Sequence, residues 1–484
     1  MKSISQYLFV AALAISAVAC QPYFPMVPPS GAVITEQEFT ENWYVTLEGT
    51  GVKNGSDWNN ALPFEDFMTM ISNPASNLAE AGIHIQEGVY PATAANSISQ
   101  ISKTILCVRG GYSKELEYDD LSECDPEMYP TIFTGDINQD GVANEGDGAF
   151  AMVTEGGNVR FENITFKNFY QSATISADSK VNGCGSAVFG VKGAYLSTSV
   201  ECNNCIFEGN VNGVSGNTSK EGGPCAFITE GYFKARNCIF IKNSAASRGG
   251  ALRVNSSKAI IFMDRCYLSQ NTLGNGGFGS AIQCSAGVVC LNNTTMVGNT
   301  GPGSTLNGGG AFFIANTTVV DSSNPNGSNN AAFRCESKAA ADATVINSVF
   351  TSTVSNGYGL IMNSNAIMKS KGYNVFKTLN VVSGSTNPVV KADAVIDATL
   401  TGNDMGNCWS WDISQVADKL ESYAIADEIY DAAVAFNPVE YSSISVLGRT
   451  FASWVTPVSF SVDGRGEARG EDGFQPGAYD PNLD

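Results

Sequence analysis

Histidine is nearly missing from this chain: 484 residues contain one, His84. Without a second imidazole, Ser-His-Asp and Cys-His nucleophilic machinery and histidine-based zinc sites are excluded. His84 stands in GIHIQEGVY, where strand alternation sets it opposite Ile83 and Ile85, so a structural histidine in a capping region is expected. Basic side chains are scarce too, 27 against 47 acidic, for a net charge of −20. That balance excludes a nucleic-acid partner, because phosphates demand a basic footprint. It also disfavours acidic polysaccharides unless a cation or a local basic patch intervenes. Long apolar runs are absent beyond Leu8–Val18, so no spanning helix is expected. Charged residues of both signs make up only 15%, while Gly reaches 50. Such a mixture disfavours helix and suits short strands between turns.

The N-terminus reads as an address. In MKSISQYLFVAALAISAVAC, Lys2 precedes an apolar stretch too short to span, and Ala17-Val18-Ala19-Cys20 resembles a bacterial lipobox. Residues 1–19 are expected to be a lipoprotein signal peptide, with Cys20 lipidated. Residues 20–40, including QPYFPMVPPSG, read as a Pro-rich tether, and lipid on Cys20 as the attachment to the membrane. The expected location is the cell envelope, at the outer membrane and with surface display open. Twelve further cysteines, Cys107 to Cys408, would suit a disulfide framework in an oxidising compartment.

The remaining pattern is repetition. A small residue followed by alternating apolar positions recurs at Ala149, Ala187, Cys225, Ala251, Ala281, Ala311 and Ala332, and more weakly at Leu360. A second phrase interleaves with it: ENITF, NNCIFEGN, RNCIFIKN, DRCYLSQN, NNTTMVGN and INSVF. The rhythm within each phrase is two, not 3.6, and the period lies near 28 residues. One such unit cannot bury its own face, whereas stacked coils share a core, which predicts a parallel β-helix. Two asparagine columns support that register. Asn163, Asn204, Asn237, Asn293 and Asn347 precede one stacked position, with Arg265 as the exception, and Asn210, Asn243, Asn271 and Asn299 form the other. Asn tolerates the left-handed corner conformation and can bond along a stack. Cys205, Cys238 and Cys266 then share one inward column. At a coil rise of roughly 4.8 Å they are too far apart for disulfides, so buried thiols are expected there, while Cys107 with Cys124, or Cys184 with a neighbour, remain open as pairs.

These phrases resemble the polymorphic-outer-membrane-protein repeat, with its GGA[ILV] and FxxN motifs. Here they read Gly249-Gly250-Ala251-Leu252, Gly309-Gly310-Ala311-Phe312, Phe207-x-x-Asn210 and Phe240-x-x-Asn243, with drifted copies at Leu268 and Met296. The block GTGVKNGSDWNNALPFEDFMTMI and the ending DGRGEARGEDGFQPGAYD are similar to bacterial surface proteins of the pectate-lyase-like β-helix superfamily. The resemblance covers roughly residues 45–484. It implies an all-β fold, a right-handed parallel β-helix solenoid with a short N-terminal capping helix and an irregular or helical C-terminal cap. No barrel segment of the kind carried by some relatives follows the repeats, leaving the lipid as the expected anchor. The expected organisation is 41–130 for the N-terminal cap and first coils, 131–390 for the repeats and 391–484 for the C-terminal cap, whose WDISQVADKLESYAIADEIYDAA looks helical.

The chemistry is thinner. Counting two residues on from each small residue gives an expected outward column that includes Phe189, Phe227, Arg253, Gln283, Phe313 and Arg334. Aromatic faces beside planar donors suit sugar rings or a protein surface, although a loop of the same chain could equally cover them. No Asp or Glu stands in this column, so a paired-carboxylate glycosidase is not supported. Arg253 and Arg334 are weak candidates for a lyase base. DINQDGVANEGD, 136–147, spaces Asp136, Asn138, Asp140, the Val142 carbonyl, Asn144 and Asp147 like a calcium loop, with Gly141 at the turn. Asp in place of a terminal Glu, and the strand pattern GAFAMV after it, depart from an EF-hand; a structural Ca²⁺ between coils is the expectation. The functional expectation is a non-enzymatic envelope lipoprotein, adhesin-like, binding a polysaccharide or envelope protein along an extended face. The alternatives are a polysaccharide lyase and a structural subunit of an outer-membrane assembly.

Overall fold

The computed structural model describes residue 39, residues 41–381 apart from 73–79, 93, 103, 179–180, 182–184, 194–197, 216–220, 275–276, 323–329, 337–341, 347, 355–356, 364–365, 373 and 378, and short strands at 395–396, 445–446 and 449–450. Between Asn42 and Val381 the chain winds as a right-handed parallel β-helix. Each coil crosses three faces. The first carries the small-residue phrase (Ala151–Val153, Phe189–Lys192), and the second follows a bend (Asn158–Glu162, Ser199–Asn203). The third follows the Asn corner (Ile164–Lys167, Ile206–Glu208, Ile239–Ile241). In Ala226–Arg236, Leu252–Asp264 and Ile282–Asn292 the first two faces are one long strand, irregular at the bend. The third face is an 11-stranded parallel ladder among the described residues.

In-register stacking makes the core. Tyr90, Phe133, Phe166, Phe207 and Phe240 follow one another on the third face, all fully enclosed. The Phe207 and Phe240 rings lie 4.6 Å apart and 3° from parallel, so ring contact and coil rise coincide. The expected capping helix is α1, Phe64–Ser72. Its Phe64, Phe67, Met68 and Ile71 form an i, i+3, i+4, i+7 stripe buried on the first coils, with Phe64 5.0 Å from both Tyr90 and Phe133. The proposed C-terminal cap at 391–484 lies almost wholly outside the described residues, as do Cys20, the signal peptide and the tether.

The asparagine columns do two different jobs. Asn163, Asn204, Asn237 and Asn293 have φ between 46° and 59°, and Arg265, the sequence exception, adopts φ 52° in the same place. Asn316, φ 47°, belongs to this column and was not read from the repeat, while Asn347 lies outside the described residues. In the second column the left-handed residue is the one before: Gly209, Lys242, Gln270 or Gly298. There the asparagine is fully buried and ladders along the axis, Asn210 to Asn243 at 3.0 Å, Asn243 to Asn271 at 2.9 Å and Asn271 to Asn299 at 2.8 Å. Each Nδ2 also donates to the carbonyl of the aromatic or leucine of an earlier coil. The thiol column stands as expected: Cys205, Cys238 and Cys266 are buried and unbridged, and so are Cys107 and Cys124 unbridged. Cys184 lies outside the described residues.

The expected outward column needs correction, and the reason is register. Val188, not Ala187, pairs alongside Cys225 and Ala251, since Phe189 aligns with Ala226 and Ala226 with Leu252. A slip of one residue inverts every side chain. Phe189 therefore points inward, 0% exposed, against Phe161, Phe166 and Phe207. Ala311 leaves the phrase altogether: its strand, Ala311–Ala315, pairs with Val288–Asn292 on the second face, which carries Phe313 away. The column that exists is Gly190, Phe227, Arg253, Gln283, Asn307, Arg334 and Ile361.

Candidate functional site

Of the residues expected to form a binding stripe, Phe227, Arg253, Gln283 and Arg334 share that column, and Phe189 and Phe313 do not. Phe227 is covered by its own chain. It packs with Ile98, Ala149, Met152, Ile175 and Val181, where Ile175 belongs to the short helix α2, Ala173–Ala177. The Arg253 guanidinium lies over the Phe227 ring, 4.6 Å from its centroid, and donates to the Glu221 carbonyl and to Asn255 Oδ1 at 3.2 Å. Glu221 is itself fully buried and paired with Arg248 at 3.3 Å. With 2% of its surface exposed, Arg253 is enclosed by these contacts.

The calcium-like loop closes on itself. Both oxygens of Asp136 accept backbone N–H groups, from Asp140 and Gly141, and both of Asp147 accept from Ile137 and Asn144. Asn138 and Asn144 turn their amide groups to Asp140, and Asp140 Oδ1 accepts from the Val142 N–H. Among the described residues no three carboxylate, imidazole or thiol groups converge as a metal cluster. Burial raises the Asp147 carboxyl, and Asp136 and Asp140 add to that.

A concave site of about 670 Å³ opens instead on the second face of the early coils. Its floor is a column in which like positions of successive coils are His84, Arg109, Glu162, Asn203 and Arg236. The corner asparagines Asn163, Asn204 and Asn237 line one edge. The opposite wall comes from an insertion that replaces an asparagine corner by Gly110-Gly111. A Cβ at Gly110 would lie 2.6 Å from Thr131 Cβ and 2.9 Å from the Asn163 carbonyl, and Gly111 has φ 93°, so the chain leaves the coil here. The excursion brings Leu121, Cys124 and Pro126 over the site, pinned where Asp125 N donates to the Gly111 carbonyl at 2.8 Å.

One directional hydrogen-bond chain fixes the floor. Arg109 Nε donates to Glu162 Oε2 at 2.7 Å, and its guanidinium also reaches the Tyr112 hydroxyl. Tyr112 then donates to His84 Nδ1 at 3.0 Å, and His84 Nε2 donates to Asn42 Oδ1 at 3.1 Å. Burial, and next the Arg109 charge, push the imidazole down to about 4, so His84 is neutral at physiological pH. Burial raises the Tyr112 phenol and pushes the Cys107 thiol up to about 12. His84, Tyr112 and Cys107 are thus each held in the neutral form by burial. What the cavity offers is hydrogen bonding. Asn204 Oδ1 is shielded from solvent without a hydrogen-bond partner, and Arg236 Nε makes no hydrogen bond but faces Asp264 Oδ2. Arg236 lies 3.6 Å from the fully buried Asp264, which balances its charge.

The sequence reading placed His84 correctly as an outward, satisfied residue but missed the site around it. Its signal in the sequence is Gly110-Gly111 and the break in the repeat between residues 112 and 131.

No family model and no curated protein matches the chain. Among solved structures it is similar to a crystal structure of the pectate lyase Pel9A, with 12% identity over 91% of this chain and 90% of that one, at a TM-score of 0.37. At that TM-score the likeness carries no argument. The all-parallel coil register described above defines the class: a right-handed parallel β-helix with an insertion-walled cavity on one face.

Proposed function

We propose that this protein is a lipid-anchored envelope protein that binds a neutral glycan, without cleaving it, in the cavity over His84, Arg109, Glu162 and Arg236. The observation that carries the reading is the concave site itself, about 670 Å³, whose lining combines the guanidinium groups of Arg109 and Arg236 with the amides of Asn203, Asn204 and Asn237. A sugar hydroxyl both donates and accepts, so neighbouring hydroxyls satisfy an acceptor and a donor together. Both cations of the site are already balanced, Arg109 by Glu162 and Arg236 by Asp264, and the chain as a whole repels an anion at a net charge of −20. Leu121, Pro126 and Phe39 supply apolar wall for the C–H face of a ring.

The test is equilibrium binding of the full-length chain to a panel of neutral and uronate-containing polysaccharides, with ultraviolet absorbance followed for unsaturated products. Saturable binding of a neutral glycan, weakened about tenfold by Asn204→Ala or Arg236→Gln, is expected. Product formation would make the protein a lyase. Absence of binding across the panel would overturn the reading in favour of a protein partner.

A further inference from the structure

Beyond the cavity the outside of the solenoid changes character. On the second face one outward row reads Arg160, Glu201 and Lys234, then Phe262, Cys290 and Phe313 in register. The first three are charged and partly exposed, while the last three are 2%, 1% and 8% exposed. These apolar side chains point away from the interior, because their strand neighbours Ile261, Val289 and Phe312 are the ones in the core. The third face switches in the same coil. Its outward row is exposed or half-buried from Val89 to Ile239, whereas Tyr267, Thr295, Thr318 and Val349 are at most 3% exposed. At the corner between the two faces, Asn204 and Asn237 are half-buried, and Asn293 and Asn316 are buried.

Outward side chains that lose their water have something laid over them. Among the described elements, those packed substantially against Ala311–Ala315 are the strands before and after it in the stack, Ile282–Asn292 and Asp342–Ile346. The same is true of Tyr267–Ser269 and Thr295–Asn299, each held between its own neighbours on the third face. The burial arises within a single chain, and the chain has a long remainder. Val395–Ile396 is the last strand of the stack, paired with Val375–Phe376 on the third face beside the covered surface, and 397–444 follows outside the described residues. In sequence this segment carries Trp409, Trp411 and Phe436, which need burial, and Ile413, Val416, Leu420 and Tyr423 recur at helical spacing between Ser414, Asp418 and Glu421. From the first to the last of that stripe a helix rises ~15 Å, about three coil steps.

We propose that residues 397–444 pack lengthwise against the outside of the later coils, over Phe262, Cys290 and Phe313 and around the corner to Tyr267. This differs from a plug on the open end of the solenoid, the role expected from the loss of the repeat. The step from Lys234 to Phe262 then divides these two faces. Earlier coils, with the cavity, are left to solvent and ligand, and later coils are occupied by the chain itself. The proposal stands whether or not the cavity takes a glycan.

Photo-crosslinking of the full-length chain tests it. The photoreactive residue p-benzoylphenylalanine replaces Phe313 in one variant and Tyr267 in another, and the products formed at low protein concentration are mapped by peptide mass spectrometry. The expected result from each position is an intrachain product with a peptide inside 397–444. A product with a second copy or with any other segment, or a position that yields none, would overturn the proposal. An unchanged cooperative unfolding transition confirms the fold of each variant; should the Phe313 variant not fold, Tyr267 still decides. A second measurement needs no probe. Leu420→Asp should raise the rate of thiol labelling at Cys290, relative to Cys205 inside the solenoid, by about tenfold or more. An unchanged ratio would overturn the packing.

Discussion

Because the chain has a single histidine, acidification gives an unusually clean test of the cavity floor. His84 is 8% exposed, accepts from Tyr112 and donates to Asn42, and its imidazole is held down to about 4 against an ordinary value of about 6.5. The folded state therefore binds fewer protons than the unfolded chain between those two values. Stability from this group is fully present above about pH 6.5 and is lost as pH falls toward 4. A depression of about 2.5 units corresponds to about 3 kcal/mol across that window. The assay has two parts. The imidazole carbon-bound proton resonance, unique in the spectrum, should not titrate until the pH approaches 4. Urea unfolding at several pH values should show His84→Gln losing less stability than the native chain between neutral pH and 4.5, with the carboxylates common to both. An imidazole that titrates near 6.5 in the folded protein would refute the directional chain from Arg109 through Tyr112 and the cavity floor built on it.

Three further outcomes are expected. Asn243→Ala should destabilise the coil stack by about 3 kcal/mol or more in urea unfolding, because it strips partners from Asn210, Asn271 and the Phe207 carbonyl at a fully buried site; a loss below about 1 kcal/mol would show the ladder to be ornamental. Of the described cysteines, the exposed Cys124 should be the first to react with a thiol reagent in the native protein, slowed by desolvation that raises its thiol. Cys205, Cys238 and Cys266 are buried with thiols pushed well up by desolvation, so labelling of these before unfolding would contradict the packing. Calcium at 136–147 is a proposal resting on donor spacing; addition of Ca²⁺ should raise the thermal midpoint by a few degrees relative to chelator, and Asp140→Ala should abolish the rise. An unchanged midpoint would leave the loop as a hydrogen-bonded turn.

Much of the solenoid was legible from residue order because the repeat writes each coil's local needs separately. Asn before the stacked position marks a left-handed corner, the buried asparagine three residues after an inward Phe marks the ladder, and an inward Cys column too widely spaced for bridges marks free thiols. Each is a property of one residue type in one short phrase. The capping helix was expected only from the family resemblance, although the stripe that buries it, Phe64, Phe67, Met68 and Ile71, is local and stands in the residue order. What residue order did not determine was which copies of a phrase lie beside one another. Ala187 and Ala311 satisfy the phrase as well as Ala251 does, yet hydrogen-bond register sets one a residue out of step and the other on a different face. Side chains alternate with a period of two, so those slips bury Phe189 and move Phe313. The cavity also waited on tertiary structure. His84, Arg109, Glu162 and Arg236 are separated by 25, 53 and 74 residues in the chain. Only the stacking of parallel coils brings them into one column, and only the excursion through Leu121 and Pro126 gives that column a wall.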